Sequence, residues 1–215
     1  RSLTYYLTLL SIAHAYSIPT MLYANGIGPL TSASLARCRR LLSSVDVITL
    51  RDTDSYRLIR SMNLPHTKVL LGADPVLSLP STPATPGPTP YLALFPKGNA
   101  PHQTATLQAV ADIAKTHHLD IILASMSRAE DTTSVHRAAS YLSRLLSPHA
   151  LHVTIASSTP RAIVRLIARS TLVISNRLHA LILAFRSGIP CVGFGTDPKI
   201  FSFLRDAALS PSYPP

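Results

Sequence analysis

Hydrophobic positions along the chain alternate between two spacings. Leu3, Leu7, Leu10, Ala13 and His14 recur near the helical period, and Pro19 ends that run. Thr20-Met21-Leu22-Tyr23-Ala24 then predicts a buried strand, with Asn25-Gly26-Ile27-Gly28-Pro29 as the loop at its C-terminal end. Ser32 is placed to cap a helix reaching about Leu42. Residues 45–50 predict a second strand, followed by Arg51-Asp52 and a helix that Asp54 can cap. Residues 68–71 predict a third strand, which ends at Gly72-Ala73-Asp74-Pro75.

The pattern then breaks. Residues 78–90 read SLPSTPATPGPTP, with five prolines from Pro80 onward. Proline fixes φ and removes a donor, so this stretch is neither helix nor central strand, and it reads as a semi-rigid linker. Beyond it the alternation resumes. Strands are predicted at 91–95, 120–124, 152–156, 171–174 and 191–194, and helices at 103–117, 131–146, 160–168, 178–186 and 198–207. Apolar strands separated by helices indicate an α/β fold whose parallel sheets are covered on both faces. The expected organisation is an N-terminal domain at 1–79, a linker at 80–90 and a C-terminal Rossmann-like domain at 91–215. The first unit has three strands and opens on Arg1 in an apolar helix pattern, so it is expected to be the remainder of a larger, truncated domain.

Composition narrows the chemistry. Of 215 residues, 47% are hydrophobic and 14% charged, which suits a packed core and argues against disorder. The formal charge of +10 points to an anionic partner such as a phosphorylated small molecule, a nucleotide or a membrane surface. With no Trp, no long Lys/Arg run and no interleaving of basic with aromatic residues, nucleic acid is not the expected partner. Cys38 and Cys191 are far apart and form no CxxC pair, so they read as reduced core residues of a cytoplasmic protein. The histidines show no metal-ligand spacing, and no metal is expected. Arg161, Arg165 and Arg169 recur every four residues and read as a solvated helix face.

Ligands of open α/β sheets sit beyond the C-terminal strand ends. That rule selects Asn25 to Gly28, Arg51-Asp52, Asp74, Lys97-Gly98-Asn99, Ser125, Ser157-Ser158, Ser175 to His179 and Gly195 to Lys199. Ser175-Asn176-Arg177-Leu178-His179 is the most informative. Backbone N–H groups at a helix start favour anions, Arg177 adds a forked donor, and His179 is a proton donor or acceptor near neutral pH. The plainer alternative, a surface arginine beside a core histidine, stays open at this point. In Gly193-Phe194-Gly195-Thr196-Asp197-Pro198-Lys199, two glycines permit close backbone approach and Lys199 supplies a point charge. Neither glycine pair completes a dinucleotide fingerprint.

Taken in order, Met21-Leu22-Tyr23-Ala24-Asn25-Gly26-Ile27-Gly28-Pro29, Ile48-Thr49-Leu50-Arg51-Asp52, Gly72-Ala73-Asp74-Pro75, Arg177-Leu178-His179-Ala180-Leu181 and Asp197-Pro198-Lys199 resemble the polysaccharide pyruvyl transferases, especially the bacterial CsaB type. The resemblance runs from about Ser2 to Phe203. It implies two Rossmann-like domains of GT-B glycosyltransferase architecture, with the active site in their cleft. It also implies that a glycine-rich loop and further strands precede Arg1. The implied reaction moves pyruvate from phosphoenolpyruvate onto a cell-wall or extracellular polysaccharide precursor sugar as a cyclic ketal, with no cofactor. His179, Arg177 and Lys199 are the implied catalytic residues. Arg51, Asn25, Gly26, Gly28, Asp74, Lys97 and Asn176 are the implied substrate contacts. Where the family often carries an arginine after the first strand of the second domain, this chain has Lys97, which keeps the charge but not the fork. The implied acceptor is a lipid-linked or polymeric glycan, and the positive charge is compatible with peripheral docking at the inner face of an anionic membrane. Two alternatives use the same basic strand ends: a glycosyltransferase taking a nucleotide sugar, and an inactive anion-binding remnant.

Overall fold

The structure is a computed structural model that describes residues 2–80, 83–85, 87–98, 103–154 and 159–209. The chain divides into two compact units, Arg1–Ser78 and Leu79–Pro215.

Unit 1 runs α1 (Ser2–Ala15), β1 (Met21–Asn25), α2 (Ser32–Leu42), β2 (Val47–Leu50), α3 (Thr53–Ser61) and β3 (Lys68–Leu71), then a 3-10 turn at Pro75–Ser78. Its three strands pair in parallel in the order β1-β2-β3. The core gathers Leu7 of α1, Cys38 and Leu42 of α2, Ile59 of α3 and the inward residues Ile48 and Leu50 of β2. Two caps differ from expectation by one or two residues. Thr31, in extended conformation, accepts the Ser34 N–H, so Ser32 is already helical. Asp52 accepts both the N–H and the hydroxyl of Ser55, so Asp54 lies inside the first turn of α3. In each case the side chain nearest the extended residue reaches the helix start first.

The expected buried strand at 20–24 is only half covered. Met21 and Tyr23 are 51% and 66% exposed, and Leu70 on β3 is exposed as well, while Leu22 packs against the core. Among the described residues, the apolar core of unit 1 therefore lies on one face of its sheet, although parallel sheets are generally covered on both.

Unit 2 runs β4 (Tyr91–Phe95), α4 (Gln103–Thr116), β5 (Asp120–Ala124), α5 (Arg128–Leu142), β6 (Leu151–Thr154), α6 (Pro160–Ala168), β7 (Leu172–Ser175), α7 (Leu178–Arg186), β8 (Cys191–Gly193) and α8 (Pro198–Asp206). The strands are all parallel, in the order β6-β5-β4-β7-β8. Numbered within the unit this is 3-2-1-4-5, the doubly wound Rossmann order, and the chain reverses direction between β4 and β7. Leu92, Leu94, Ile121, Leu123, Val135 and Leu142 belong to its main core. The described part of the proline-rich segment, residues 83–85 and 87–90, is neither helix nor strand. The exposed positions of Arg161, Arg165 and Arg169 agree with a solvated face of α6. Cys38 is buried and Cys191 half-buried, both are free, and burial pushes both thiols up from their ordinary pKa.

α5 begins three residues before the expected start and ends at Leu142 rather than 146, where a turn takes over. This shift places Glu130 and Asp131 in its first turn. Gly193 also has a role the sequence does not show. A Cβ there would lie 2.7 Å from Ile200, 2.9 Å from Leu204 and 3.1 Å from Leu181. The close approach is to the packing of α7 and α8, not to a ligand. Gly193→Ala is expected to cost about 1–3 kcal/mol through overpacking, read as a lowered midpoint of thermal unfolding.

Candidate functional site

The C-terminal ends of β4 and β7 lie side by side, with Phe95 opposite Ser175. This is the topological switch point of unit 2, where doubly wound sheets open a crevice. The turn beyond β7 is built by two polar side chains. The buried Ser175 hydroxyl bonds the Phe95 carbonyl at 3.2 Å and accepts the Arg177 N–H at 2.8 Å. The Asn176 amide reaches across to Lys97, accepting its N–H at 2.6 Å and donating to its carbonyl at 2.8 Å. Ser134 of α5 holds the next carbonyl, that of Gly98, at 3.1 Å. Gly98 has φ +68°, a left-handed conformation that favours glycine. Asn176 thus joins the two strand ends, and its amide is committed to backbone. The Lys97 side chain has no hydrogen-bond or ion-pair partner among the described residues.

Arg177 occupies the N-cap position of α7, and no side chain caps that helix. Its guanidinium is held from α5. Nε donates to Asp131 Oδ1 at 2.9 Å, and Nη2 bonds both Asp131 and Glu130, the latter at 2.8 Å. The other oxygen of Asp131 accepts the N–H groups of Met126 and Ser127 at 3.0 and 2.9 Å. The Asp131 side chain is 1% exposed, that of Arg177 16% and that of Glu130 60%. Burial alone would lower the pKa of Arg177, but the hydrogen bonds and charge of Asp131 and Glu130 outweigh it and leave the pKa raised. The bond from Arg177 holds the Glu130 carboxyl below the usual range, helped by the charges of Arg177 and Lys97. Asp131 and Glu130 escape the strand-end rule because they sit in the first helical turn, seven and six residues past the end of β5. Their one sequence signal is an acidic pair at a helix start.

His179 lies in the first turn of α7 and is exposed, so it is not a core histidine. Lys199 lies in the first turn of α8, where Asp197 accepts its N–H at 3.0 Å. Its side chain is exposed and has no partner among the described residues. Gly195 has φ +97° and packs against Asn176, with a built Cβ 3.5 Å from the Asn176 Cβ. Asn99, Ser157 and Ser158 lie outside the described residues.

Unit 1 assembles a second cluster at the ends of its own strands. Arg51, just past β2, bonds Asp74 past β3 at 2.9 Å, and its N–H donates to the Asn25 carbonyl at 3.2 Å. The Arg51 guanidinium lies against the loop after β1, since a Cβ on Gly26 would sit 2.8 Å from its Nε. Gly28 has φ +117°, and Ser55 clamps neighbouring Ile27 by bonding both its N–H and its carbonyl. The structure therefore brings Asn25, Gly26, Arg51 and Asp74 together in one unit, and Lys97, Asn176 and Arg177 together in the other.

Among the described residues, no group of three His, Cys, Asp or Glu could hold a metal, and no helix is long and apolar enough to cross a membrane.

Known structures share this fold at low identity. A putative UDP-N-acetylglucosamine 2-epimerase from Listeria monocytogenes matches at 10% identity and a TM-score of 0.64, covering 94% of this chain and 56% of that one. The UDP-GlcNAc 2-epimerase from Methanocaldococcus jannaschii matches at 9% and 0.62, covering 87% and 57%. A chain from the structure of accessory secretory protein 1, 2 and 3 in Streptococcus pneumoniae matches at 14% and 0.58, covering 85% and 37%. This chain thus spans between about a third and three fifths of the length of those it resembles. Such likenesses establish an α/β fold with parallel sheets of the kind found in GT-B glycosyltransferases and related epimerases. No curated protein matches the chain significantly. A model of the family described as polysaccharide pyruvyl transferase matches residues 1–198 of the 215, and the chain belongs to that family.

Proposed function

We propose that the chain serves ketal transfer of pyruvate from phosphoenolpyruvate to a glycan acceptor, and that the switch point of unit 2 receives the donor. The observation that carries this is Arg177, a charged fork fixed by a buried carboxylate at an uncapped helix start, near Lys97, whose side chain has no partner among the described residues. Phosphoenolpyruvate brings a phosphate and a carboxylate, which suit a fork and point charges. Arg177, Lys97 and Lys199 hold these groups. His179 donates a proton to the methylene carbon, and a sugar hydroxyl attacks the resulting cationic centre and returns its proton to His179. The C–O bond to phosphate then breaks, and the second hydroxyl adds to close the ketal, its proton leaving with the phosphate. Asn176 fixes the Lys97 backbone. In unit 1, Arg51 is the proposed substrate contact, with Asn25, Gly26, Gly28 and Asp74 shaping its loop. No cofactor enters this scheme. The acceptor is a lipid-linked or polymeric glycan, met at the inner, anionic face of a membrane by a cytoplasmic protein of formal charge +10.

The test supplies the protein with phosphoenolpyruvate or a nucleotide sugar, each with a lipid-linked disaccharide, and measures released phosphate and nucleoside diphosphate. Phosphate released from phosphoenolpyruvate, and only with acceptor present, is expected. Turnover of the nucleotide sugar instead would select the glycosyltransferase alternative, which the names of the UDP-sugar epimerases of similar fold keep in view. Binding of phosphoenolpyruvate without turnover would mark an anion-binding remnant.

A further inference from the structure

The two carboxylates on Arg177 are unlike. Asp131 is buried and makes its bonds through both oxygens: one takes Arg177, the other the N–H groups of Met126 and Ser127. It cannot leave without stranding two N–H groups and a guanidinium. Glu130 is mostly exposed, and among the described residues its one hydrogen bond is to Nη2 of Arg177. An exposed pair of this kind is weak. Nη1 of the same guanidinium has no partner among the described residues, so the outer edge of the fork already offers a donor. The charge of Arg177 and, more weakly, that of Lys97 both act on the Glu130 carboxyl.

We infer that Glu130 is a displaceable carboxylate: it occupies the outer seat of the Arg177 fork when the site is empty, and yields to a phosphate or carboxylate group of the substrate. The inference rests on the assignment of Arg177 as an anion site. Asp131 is then the fixed support of the fork, and Glu130 sets the threshold an incoming anion must exceed. A dianionic phosphate carries more charge and more acceptors than one carboxylate, so it displaces Glu130, whereas singly charged anions compete poorly. Glu130 would thus tune the site toward multiply charged ligands.

The experiment is calorimetric titration of inorganic phosphate, phosphoenolpyruvate and acetate into the wild-type chain, Glu130→Gln and Arg177→Ala. Thermal melting and circular dichroism check that each variant folds; Glu130 is exposed, and Gln keeps its shape and helix preference. Losing the competing pair and its repulsion should tighten phosphate and phosphoenolpyruvate binding about three- to tenfold in Glu130→Gln, and should let acetate compete better. A merely structural role for Glu130 gives no such gain. If Arg177→Ala abolishes binding while Glu130→Gln binds no tighter than wild type, the displaceable role is wrong and the anion site stands. If Arg177→Ala binds as wild type does, or if neither wild type nor Glu130→Gln binds, the anion site itself is wrong. Binding seen in Glu130→Gln but too weak to detect in wild type supports the inference.

Discussion

Asp131→Ala is expected to destabilise unit 2 by about 3–5 kcal/mol, the cost of breaking one partner out of a buried ion pair. The Asp131 side chain is 1% exposed and its loss has two effects. Among the described residues the Arg177 guanidinium keeps only the exposed Glu130 bond, and the N–H groups of Met126 and Ser127 lose their acceptor. Against a typical total of about 5–15 kcal/mol, this is a large fraction of what holds a domain folded. Asp131→Asn is the informative companion. It keeps the shape and an acceptor oxygen for the two N–H groups but removes the charge, so it should recover part of the stability while leaving Arg177 poorly oriented. Chemical denaturation of both variants, alongside phosphate binding, separates the two effects. A cost below about 1 kcal/mol for Asp131→Ala would contradict the buried geometry.

The second large effect is on rate. His179→Ala is expected to lower turnover about 10²–10⁴-fold, the usual contribution of a positioned proton donor. His179 is exposed in the first turn of α7, and alanine is the best helix former, so the fold should be unaffected. Binding of phosphoenolpyruvate should change little, which separates loss of proton transfer from loss of the donor site. Turnover at the wild-type level would remove His179 as the acid.

The βα alternation was legible because strand and helix periods differ, and of the eight strands described all but β2 begin within one residue of the expected start. Helix starts were less legible. At Thr31 and Asp52, neighbouring residues of equal capping chemistry compete, and backbone conformation decides between them. The strand-end rule selected Lys97, Asn176 and Arg177, which the structure places just past β4 and β7, because it needs only topology. It could not find Asp131, whose role depends on α5 bringing it beside a residue 46 positions further along the chain. Nor could it foresee that Gly193 is small for the sake of Ile200 and Leu204. Asn176 illustrates the same limit: its position was evident, but only the structure shows its amide facing the Lys97 backbone.

The half-covered sheet of unit 1 bears on how the chain behaves in solution. Met21, Tyr23 and Leu70 face outward, and Tyr5, Leu9, Ile12 and Tyr16 are exposed on or just past α1 at the 4-3-4 spacing of a helix-packing seam. Apolar area of this kind attracts its own copies, while a formal charge of +10 keeps them apart. The two act over different ranges: the repulsion is screened beyond about 10 Å at 0.1 M salt, whereas the apolar attraction survives screening. Colloidal stability of the chain is therefore electrostatic, greatest in dilute buffer and lost first as salt is added.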